Sequence, residues 1–302
     1  MTNIHRSGFV NIIGRPNVGK STLLNAMVGE RMSIITNKPQ TTRHRIIGLL
    51  SGEDFQIVFS DTPGIIKNPS YKMHEAMNRF AHSTFDDADM MLLVTEPGEK
   101  YNANDPVLEK LAAVDVPKIL VLNKIDTITP EKTAAWITEW ADLARFDKVV
   151  TISALNKTNT DVLLTHITEN LPEGPAYYPK DQLTDRPERF FVSEIIREKI
   201  FLQYEQEIPY SCEVIVTDFK DSETKDGLPL ARINAVIFVS RESQKPILLG
   251  RGGSAMKKLA TAARLDIETF LDRKAFLEIH IKVRNNWRDD ERELKHFGYT
   301  GS

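Results

Sequence analysis

The chain has 302 residues, 41% of them hydrophobic and 27% charged, with a formal net charge of −3. That balance suits a soluble globular protein long enough for more than one domain, and it excludes disordered, collagen-like and strongly basic chains. No apolar run approaches the roughly 18 residues that span a bilayer, and Met1–Arg6 lacks the apolar core of a secretory signal, so a cytoplasmic location is expected. One cysteine, Cys212, rules out an intramolecular disulfide, and the seven histidines show no metal-ligand spacing. His44 and His74 are expected at the surface.

The first element is an apolar run, Phe9–Ile13, which reads as a buried strand. Gly14-Arg15-Pro16-Asn17-Val18-Gly19-Lys20-Ser21 follows and matches G-x-x-x-x-G-K-[ST], with a helix opening through Thr22 to Val28. Strand, glycine-rich loop and helix in that order make a phosphate-binding loop. Its backbone N–H groups can curl around a β-phosphate, Lys20 can reach the β/γ-phosphates, and the Ser21 hydroxyl can ligate Mg²⁺. Next comes the polar stretch Gln40-Thr41-Thr42-Arg43, where a threonine hydroxyl can complete the magnesium shell, and Thr42 is chosen over Thr41.

Phe55–Ser60 reads as a strand by its alternation and leads into Asp61-Thr62-Pro63-Gly64. Asp61 is expected to hold Mg²⁺ through water, and Gly64 to let a backbone N–H approach a γ-phosphate, so that GTP orders the loop and GDP releases it. Two further apolar runs end in Asn123-Lys124-Ile125-Asp126 and in Ser153-Ala154-Leu155. Both lie at strand C-terminal ends, where open α/β sheets bind ligands. The Asp126 carboxylate can accept from N1–H and the exocyclic amine of guanine while the Ala154 N–H donates to O6, and adenine matches neither.

Residues 171–187 carry several prolines after a helical pattern at Asp161–Ile167, and so read as a semi-rigid linker. The residues after it are less acidic than those before but form no basic tail. A helix is predicted over Phe190–Tyr204, then strands at Ser211–Val216 and Ala231–Val239 separated by a charged loop from Phe219 to Gly227. Pro246–Leu249 precedes Gly250-Arg251-Gly252-Gly253, a helix follows with Lys257 and Lys258 near its start, and an alternating strand spans Phe276–Val283. Trp287 suits either a core anchor or a surface on which a base stacks. Asp289 and Asp290 suit a helix N-terminus.

The order helix, strand, strand, helix, Gly-x-x-Gly, helix, strand resembles a KH domain of the bacterial, type II topology. That resemblance implies that Gly250, Arg251, Gly252 and Gly253 let the backbone of single-stranded RNA approach, with Lys257 and Lys258 adding phosphate attraction. The order of nucleotide motifs is similar to that of the translation-factor-related GTPases. Thr41-Thr42-Arg43, the Asp61–Gly64 motif and the terminal Leu294-x-x-x-Gly298-Tyr299 pattern narrow the resemblance to the Era-type family.

Membership would imply an α/β fold: a P-loop GTPase domain with a mostly parallel sheet over residues 1–172, a linker over 173–188, and a smaller α+β KH domain of type II over 189–302. The nucleotide site would comprise residues 14–22, 61–64, 123, 124, 126 and 153–155. Lys20, Thr42, Gly64 and Asn17 would be catalytic, and Ser21, Thr42 and Asp61 would hold Mg²⁺. Ile65 stands where Ras-like proteins carry a catalytic glutamine and cannot orient a water, so slow intrinsic hydrolysis is expected. Asn17 either ligates K⁺ beside the phosphates or makes a loop hydrogen bond. Arg15 either acts as an internal arginine finger or forms a salt bridge. The same resemblance implies maturation of the 30S ribosomal subunit through the 3′ end of small-subunit 16S rRNA, a monomeric chain, and peripheral contact with the inner membrane.

Overall fold

The computed structural model describes residues 4–102 and 104–299. The N-terminal stretch read for a signal therefore lies partly outside the described residues, at 1–3. The chain divides into two compact units, Met1–Asn68 with Met77–Asp185, and Pro69–Ala76 with Arg186–Ser302.

In the first unit β1 (Arg6–Ile13), α1 (Lys20–Val28), β2 (Ile46–Ser51) and β3 (Phe55–Asp61) are followed by α2 (Lys72–Ser83), whose residues 72–76 group with the second unit. Then come β4 (Met90–Thr95), α3 (Pro106–Ala113), β5 (Lys118–Leu122), α4 (Pro130–Leu143), β6 (Lys148–Thr151) and α5 (Thr160–Asn170). The six strands lie in the order β2-β3-β1-β4-β5-β6, with only β2 antiparallel to its neighbour. All six residues of β4 are buried. A strand covered on both faces reads as a continuous apolar run, as Met90–Val94 does.

One face of the sheet buries Met91, Leu93, Leu120 and Leu122 against Leu108 and Leu111 of α3 and Trp136 and Trp140 of α4. α1 packs on β2, β3 and α5. Because β1 has β3 on one side and β4 on the other, the chain reverses its winding at β1. The loops after β1, β3, β5 and β6 all open at the carboxyl edge, where such a sheet receives a ligand.

The proline-rich stretch after α5 lies along this unit rather than standing off it. Ser7 Oγ donates to Pro175 O (2.7 Å), Gln56 Nε2 donates to Tyr178 O (2.8 Å) and Gln56 Oε1 accepts from Tyr177 N (2.7 Å). Leu49 N donates to Leu183 O (2.8 Å) and Thr184 Oγ1 to Ile47 O (2.7 Å), both along β2.

The second unit contains α6 (Glu188–Gln203), α7 (Ile208–Ser211), β7 (Cys212–Glu223), β8 (Pro229–Val239), α8 (Gln244–Leu249), α9 (Ser254–Leu271), β9 (Lys274–Val283) and α10 (Glu291–His296). Its sheet has the order β7-β8-β9, antiparallel and then parallel. Ile196 and Ile200 of α6 and Leu259, Ala263 and Ile267 of α9 bury one face of it, together with Cys212, Ile233, Ala235 and Ile237.

The charged loop expected at 219–227 is a correction. Phe219–Glu223 continue β7 and pair with Pro229–Ile233, so only residues 224–228 turn. Charged residues persist there because this end of β7 is largely exposed, Lys220, Asp221 and Glu223 among them, which hides a strand from a hydrophobicity reading. The histidines are a second correction: His44 is half-buried, and His74 is 7% exposed with Nδ1 accepting from Ser70 N (3.2 Å).

Trp287 is fully buried, donates from Nε1 to Ser211 O (2.9 Å), and meets Phe297 edge-on at 5.1 Å. It is a core anchor, and no base can stack on it here. Tyr299 Oη donates to Glu213 (2.5 Å) and fastens the same segment to β7. Asp290 caps α10 by accepting from Arg292 N (2.8 Å) and Glu293 N (3.2 Å), and these bonds hold its carboxyl below the usual range. Trp287→Ala should cost about 3–5 kcal/mol in the stability of this unit, read as a lowered midpoint in chemical denaturation followed by circular dichroism.

Candidate functional site

Three glycines shape the phosphate loop. Gly14 (φ +149°) and Gly19 (φ +96°) hold backbone conformations that L side chains rarely adopt, and a Cβ on them would come within 2.3 Å of Val94 O and of Asn123 Nδ2 respectively. Gly64 sits against Pro16, where a Cβ would be 2.7 Å from its ring. The loop after β3 thus closes directly on the loop after β1. Asn17 (φ 70°) adopts a left-handed conformation that asparagine tolerates, and its Nδ2 donates to Asn37 O (3.1 Å).

A cavity of about 500 Å³ brings these loops together. Its walls include Pro16, Asn17, Gly19, Lys20, Ser21, Thr22, Thr42, Thr62, Gly64, Asn123, Lys124, Asp126 and Leu155, with Ile34–Asn37, Gln40, Thr41, Glu96 and Thr127 completing them. Of the remaining residues predicted for the site, Gly14, Val18, Asp61, Pro63, Ser153 and Ala154 are buried and do not line the cavity. Arg15 turns away from it. Its guanidinium pairs with Asp105 (3.0 Å) and stacks 4.0 Å over the Tyr101 ring, so in this structure it forms a salt bridge rather than an arginine finger.

At one end of the cavity hydroxyls converge on a carboxylate. Asp61 Oδ2 accepts from Ser21 Oγ (2.6 Å), Ser33 Oγ (2.9 Å) and, at longer range, Thr42 Oγ1 (3.5 Å). Thr42 and Ser21 are 2.9 Å apart, whereas the Thr41 hydroxyl turns to Thr36 (2.7 Å) and Lys38 O (2.7 Å). Asp61 Oδ1 is buried and has no hydrogen-bond partner among the described residues.

Lys20, 6% exposed, donates to Gly14 O (3.0 Å) and Arg15 O (2.8 Å). Burial lowers its ammonium pKa to about 8 against the attraction of Asp61 and Glu99, and burial likewise pushes the Asp61 carboxyl up, opposed chiefly by the Ser21 hydroxyl. A magnesium-bound polyphosphate supplies what both groups lack, an anion for Lys20 and a cation for Asp61. The orphaned Oδ1 and the neighbouring hydroxyls are the oxygen donors magnesium prefers, so the residues present fit that ion.

At the other end Asn123 ties three loops. Its Nδ2 donates to Val18 O (2.9 Å) and its Oδ1 accepts from Ala154 N (3.0 Å). The Ala154 N–H expected to face guanine O6 is thus held by Asn123 here. Lys124 bridges Asn17 O (2.8 Å) and the carboxylate of Glu96. Asp126 lies exposed on the turn Ile125–Thr127 at the cavity wall, open to a base edge.

Sequence reasoning missed Ser33, Glu96 and Asp105. None belongs to a motif, and each is recruited by folding from a distant loop.

In the second unit Gly250, Gly252 and Gly253 all have positive φ (69°, 59° and 79°) and carry the chain from α8 into α9. A Cβ on Gly250 would meet that of Ala255 at 2.6 Å, whereas Gly252 faces open space. Arg251, Lys257 and Lys258 are exposed beside this turn. Gly253 precedes α9 and offers no side chain to cap it, while the N–H of Ser254, its first residue, donates to Arg251 O within the turn.

Residues 9–124 match the family model described as a 50S ribosome-binding GTPase, and residues 207–288 match that of the KH domain. The chain is 45% identical over 296 residues to GTPase Era of Syntrophus aciditrophicus, covering 98% of this chain and 95% of that protein. It is 47% identical over 300 residues to the chloroplastic GTPase ERA1 of Zea mays, covering 98% of this chain and 71% of that one. Among solved structures, Era in complex with MgGDPNP and nucleotides 1506–1542 of 16S ribosomal RNA superposes with a TM-score of 0.90 at 34% identity, covering 98% of this chain and all of that one. A variant of Aquifex aeolicus Era bound to GDP and AlF4⁻ superposes at 0.87, also at 34% identity and over 98% of this chain.

Asn123→Ala should weaken guanine-nucleotide affinity roughly 10- to 100-fold, since it removes two buried hydrogen bonds between loops and leaves the Val18 carbonyl and Ala154 N–H unpaired. Titration with fluorescent GDP measures it.

Proposed function

Because the chain belongs to the Era family of GTPases, we propose that it hydrolyses GTP with magnesium in the cavity of the first unit and binds single-stranded RNA at the glycine turn of the second. The RNA is the 3′ end region of small-subunit 16S rRNA, and the two activities together serve maturation of the 30S subunit. The observation that carries this is the pairing, in one chain, of the Asp61 hydroxyl cluster with the positive-φ glycine turn before α9.

Lys20 neutralises charge on the β- and γ-phosphates, and the Gly64 N–H, kept close to the phosphate loop by the missing side chain, donates to the γ-phosphate. Ser21, Thr42 and Asp61 would hold magnesium, which would supply positive charge to neutralise the phosphates. Asp126 reads N1–H and the amine of guanine, and Ser153, Ala154 and Leu155 flank the base. Ile65 offers no hydrogen bond to an attacking water, so intrinsic turnover is slow. Asn17 makes the loop hydrogen bond to Asn37 O (3.1 Å) through Nδ2, and a potassium ion held by its side-chain oxygen would belong to the same reading.

A GTPase domain over 1–172, a linker over 173–188 and an RNA-binding domain over 189–302 follow the same assignment. Among the described residues no helix is long and apolar enough to cross a membrane. We assign a cytoplasmic, monomeric protein, and peripheral contact with the inner membrane rests on family resemblance alone.

Asp126→Asn should move preference from guanine to xanthine nucleotides, because an amide donates to the xanthine O2 where the carboxylate accepted the guanine amine. GTP affinity should fall at least about 100-fold, measured by competition of GTP and XTP against a fluorescent nucleotide.

The coupling is tested by anisotropy of a labelled single strand copying the rRNA 3′ end, with protein in GDP or a non-hydrolysable GTP analogue. Tighter binding with the analogue is expected, and by linkage the RNA then tightens the nucleotide equally. Arg251→Asp with Gly252→Asp should abolish RNA binding without loss of GTP binding, since position 252 has room for a side chain and aspartate tolerates its left-handed backbone. Equal affinity in both states would sink the coupling, and no RNA binding in either would favour a protein partner for the second unit.

A further inference from the structure

Ser33 lies outside every nucleotide motif, yet it is 2% exposed and its hydroxyl donates to Asp61 Oδ2 at 2.9 Å. Its placement begins on α1. Ser21 and Asn25 stand four residues apart and so share one face of that helix. Ser21 reaches Asp61 directly (2.6 Å), and Asn25 reaches the chain that returns after the helix ends.

Gly29 (φ 85°) closes the helix, its N–H donating to Asn25 O (3.0 Å), and lets the chain double back. The Asn25 side chain then grips both backbone groups of Ser33: Oδ1 accepts from Ser33 N (2.8 Å) and Nδ2 donates to Ser33 O (2.8 Å). Met32 N also donates to Asn25 Oδ1 (2.9 Å). A serine fixed at its N–H, its carbonyl and its hydroxyl is held as firmly as a residue of a regular element. It directly precedes Ile34, where the chain enters the cavity wall that ends at Thr42.

We propose that Ser33 is a positioning residue for the magnesium site: clamped by Asn25, its hydroxyl locks the Asp61 carboxylate through Oδ2, so that Oδ1 is the oxygen left for the metal shell. The proposal rests on the assignment of Ser21, Thr42 and Asp61 to magnesium. A carboxylate that serves a metal through one oxygen needs its other oxygen satisfied, and the orientation imposed there governs the metal's affinity. Ser21 and Thr42 can donate to the same carboxylate, but in that assignment their oxygens are held by the ion, so their positions follow the metal rather than fix it. Ser33 is the hydroxyl of the three that remains a dedicated donor.

The test is retention of a fluorescent GDP by the full chain as free magnesium is titrated, in wild type, Ser33→Ala, Ser33→Thr and Asn25→Ala, with Ser21→Ala as the reference for loss of a ligand. Ser33→Ala should raise the magnesium concentration for half-retention by roughly 10- to 100-fold, while GDP affinity in excess chelator stays within about twofold of wild type. Asn25→Ala should shift the curve in the same direction, and Ser33→Thr, which keeps the hydroxyl, should restore most of it. A merely structural role would lower affinity in chelator and in magnesium alike and leave the half-retention point unmoved.

A magnesium-dependent wild type with the Ser33→Ala curve superimposed on it overturns the Ser33 assignment alone. A wild type that retains GDP equally with and without magnesium, or not at all, overturns the metal site and the proposal with it.

Discussion

Asp61 is fully buried, and burying a carboxylate away from water is costly unless donors or a cation meet it. In this chain the donors come from three places: α1 through Ser21, the return from that helix through Ser33, and the stretch before β2 through Thr42. One acidic side chain at the end of β3 therefore fixes where three otherwise independent segments meet. The phosphate loop, the segment over 34–42 and the Asp61–Gly64 loop are placed around one point because of it. Asn123 plays the corresponding part at the other end of the cavity, joining Val18 to Ala154.

The parts of this arrangement that were legible in the sequence are those whose geometry is local. Gly14, Gly19 and Gly64 report backbone conformations and close approaches that only glycine permits, so they are visible as spacing. The alternation at Phe55–Ser60 and the apolar run at Met90–Val94 report half-covered and fully covered strands. Ser33, Glu96 and Asp105 were not legible, because a serine or an acidic residue in a loop is ordinarily solvated and only tertiary convergence makes it otherwise. The extent of β7 was obscured for a related reason: Lys220, Asp221 and Glu223 look like a loop, yet their backbone groups complete a ladder with β8.

The second unit divides its labour between a rigid base and an open turn. Trp287, Phe297 and Tyr299 lock the end of the chain onto the start of β7, and Gln244, whose Oε1 accepts from Ser240 N (2.9 Å), donates to Ser211 Oγ (2.8 Å) beside them. α8 thus departs from a fixed platform before the chain reaches Gly250. Within that turn the positive-φ backbone is confined to the glycines, and the aromatic mass stays in the core.

The proline-rich stretch after α5 also guards the unit it lies on. β2 is the outermost strand on its side of the sheet, and an unpaired strand edge is a template on which another chain can add itself. Residues 183 and 184 occupy that edge through Leu49 N and Ile47 O, and the prolines nearby cannot themselves extend a ladder outward. A nascent chain that has completed α5 but not yet reached Thr184 presents this edge bare. Its solubility during synthesis accordingly depends on a segment that belongs to neither catalysis nor recognition, and truncations just short of that point are the ones that expose a sticky sheet.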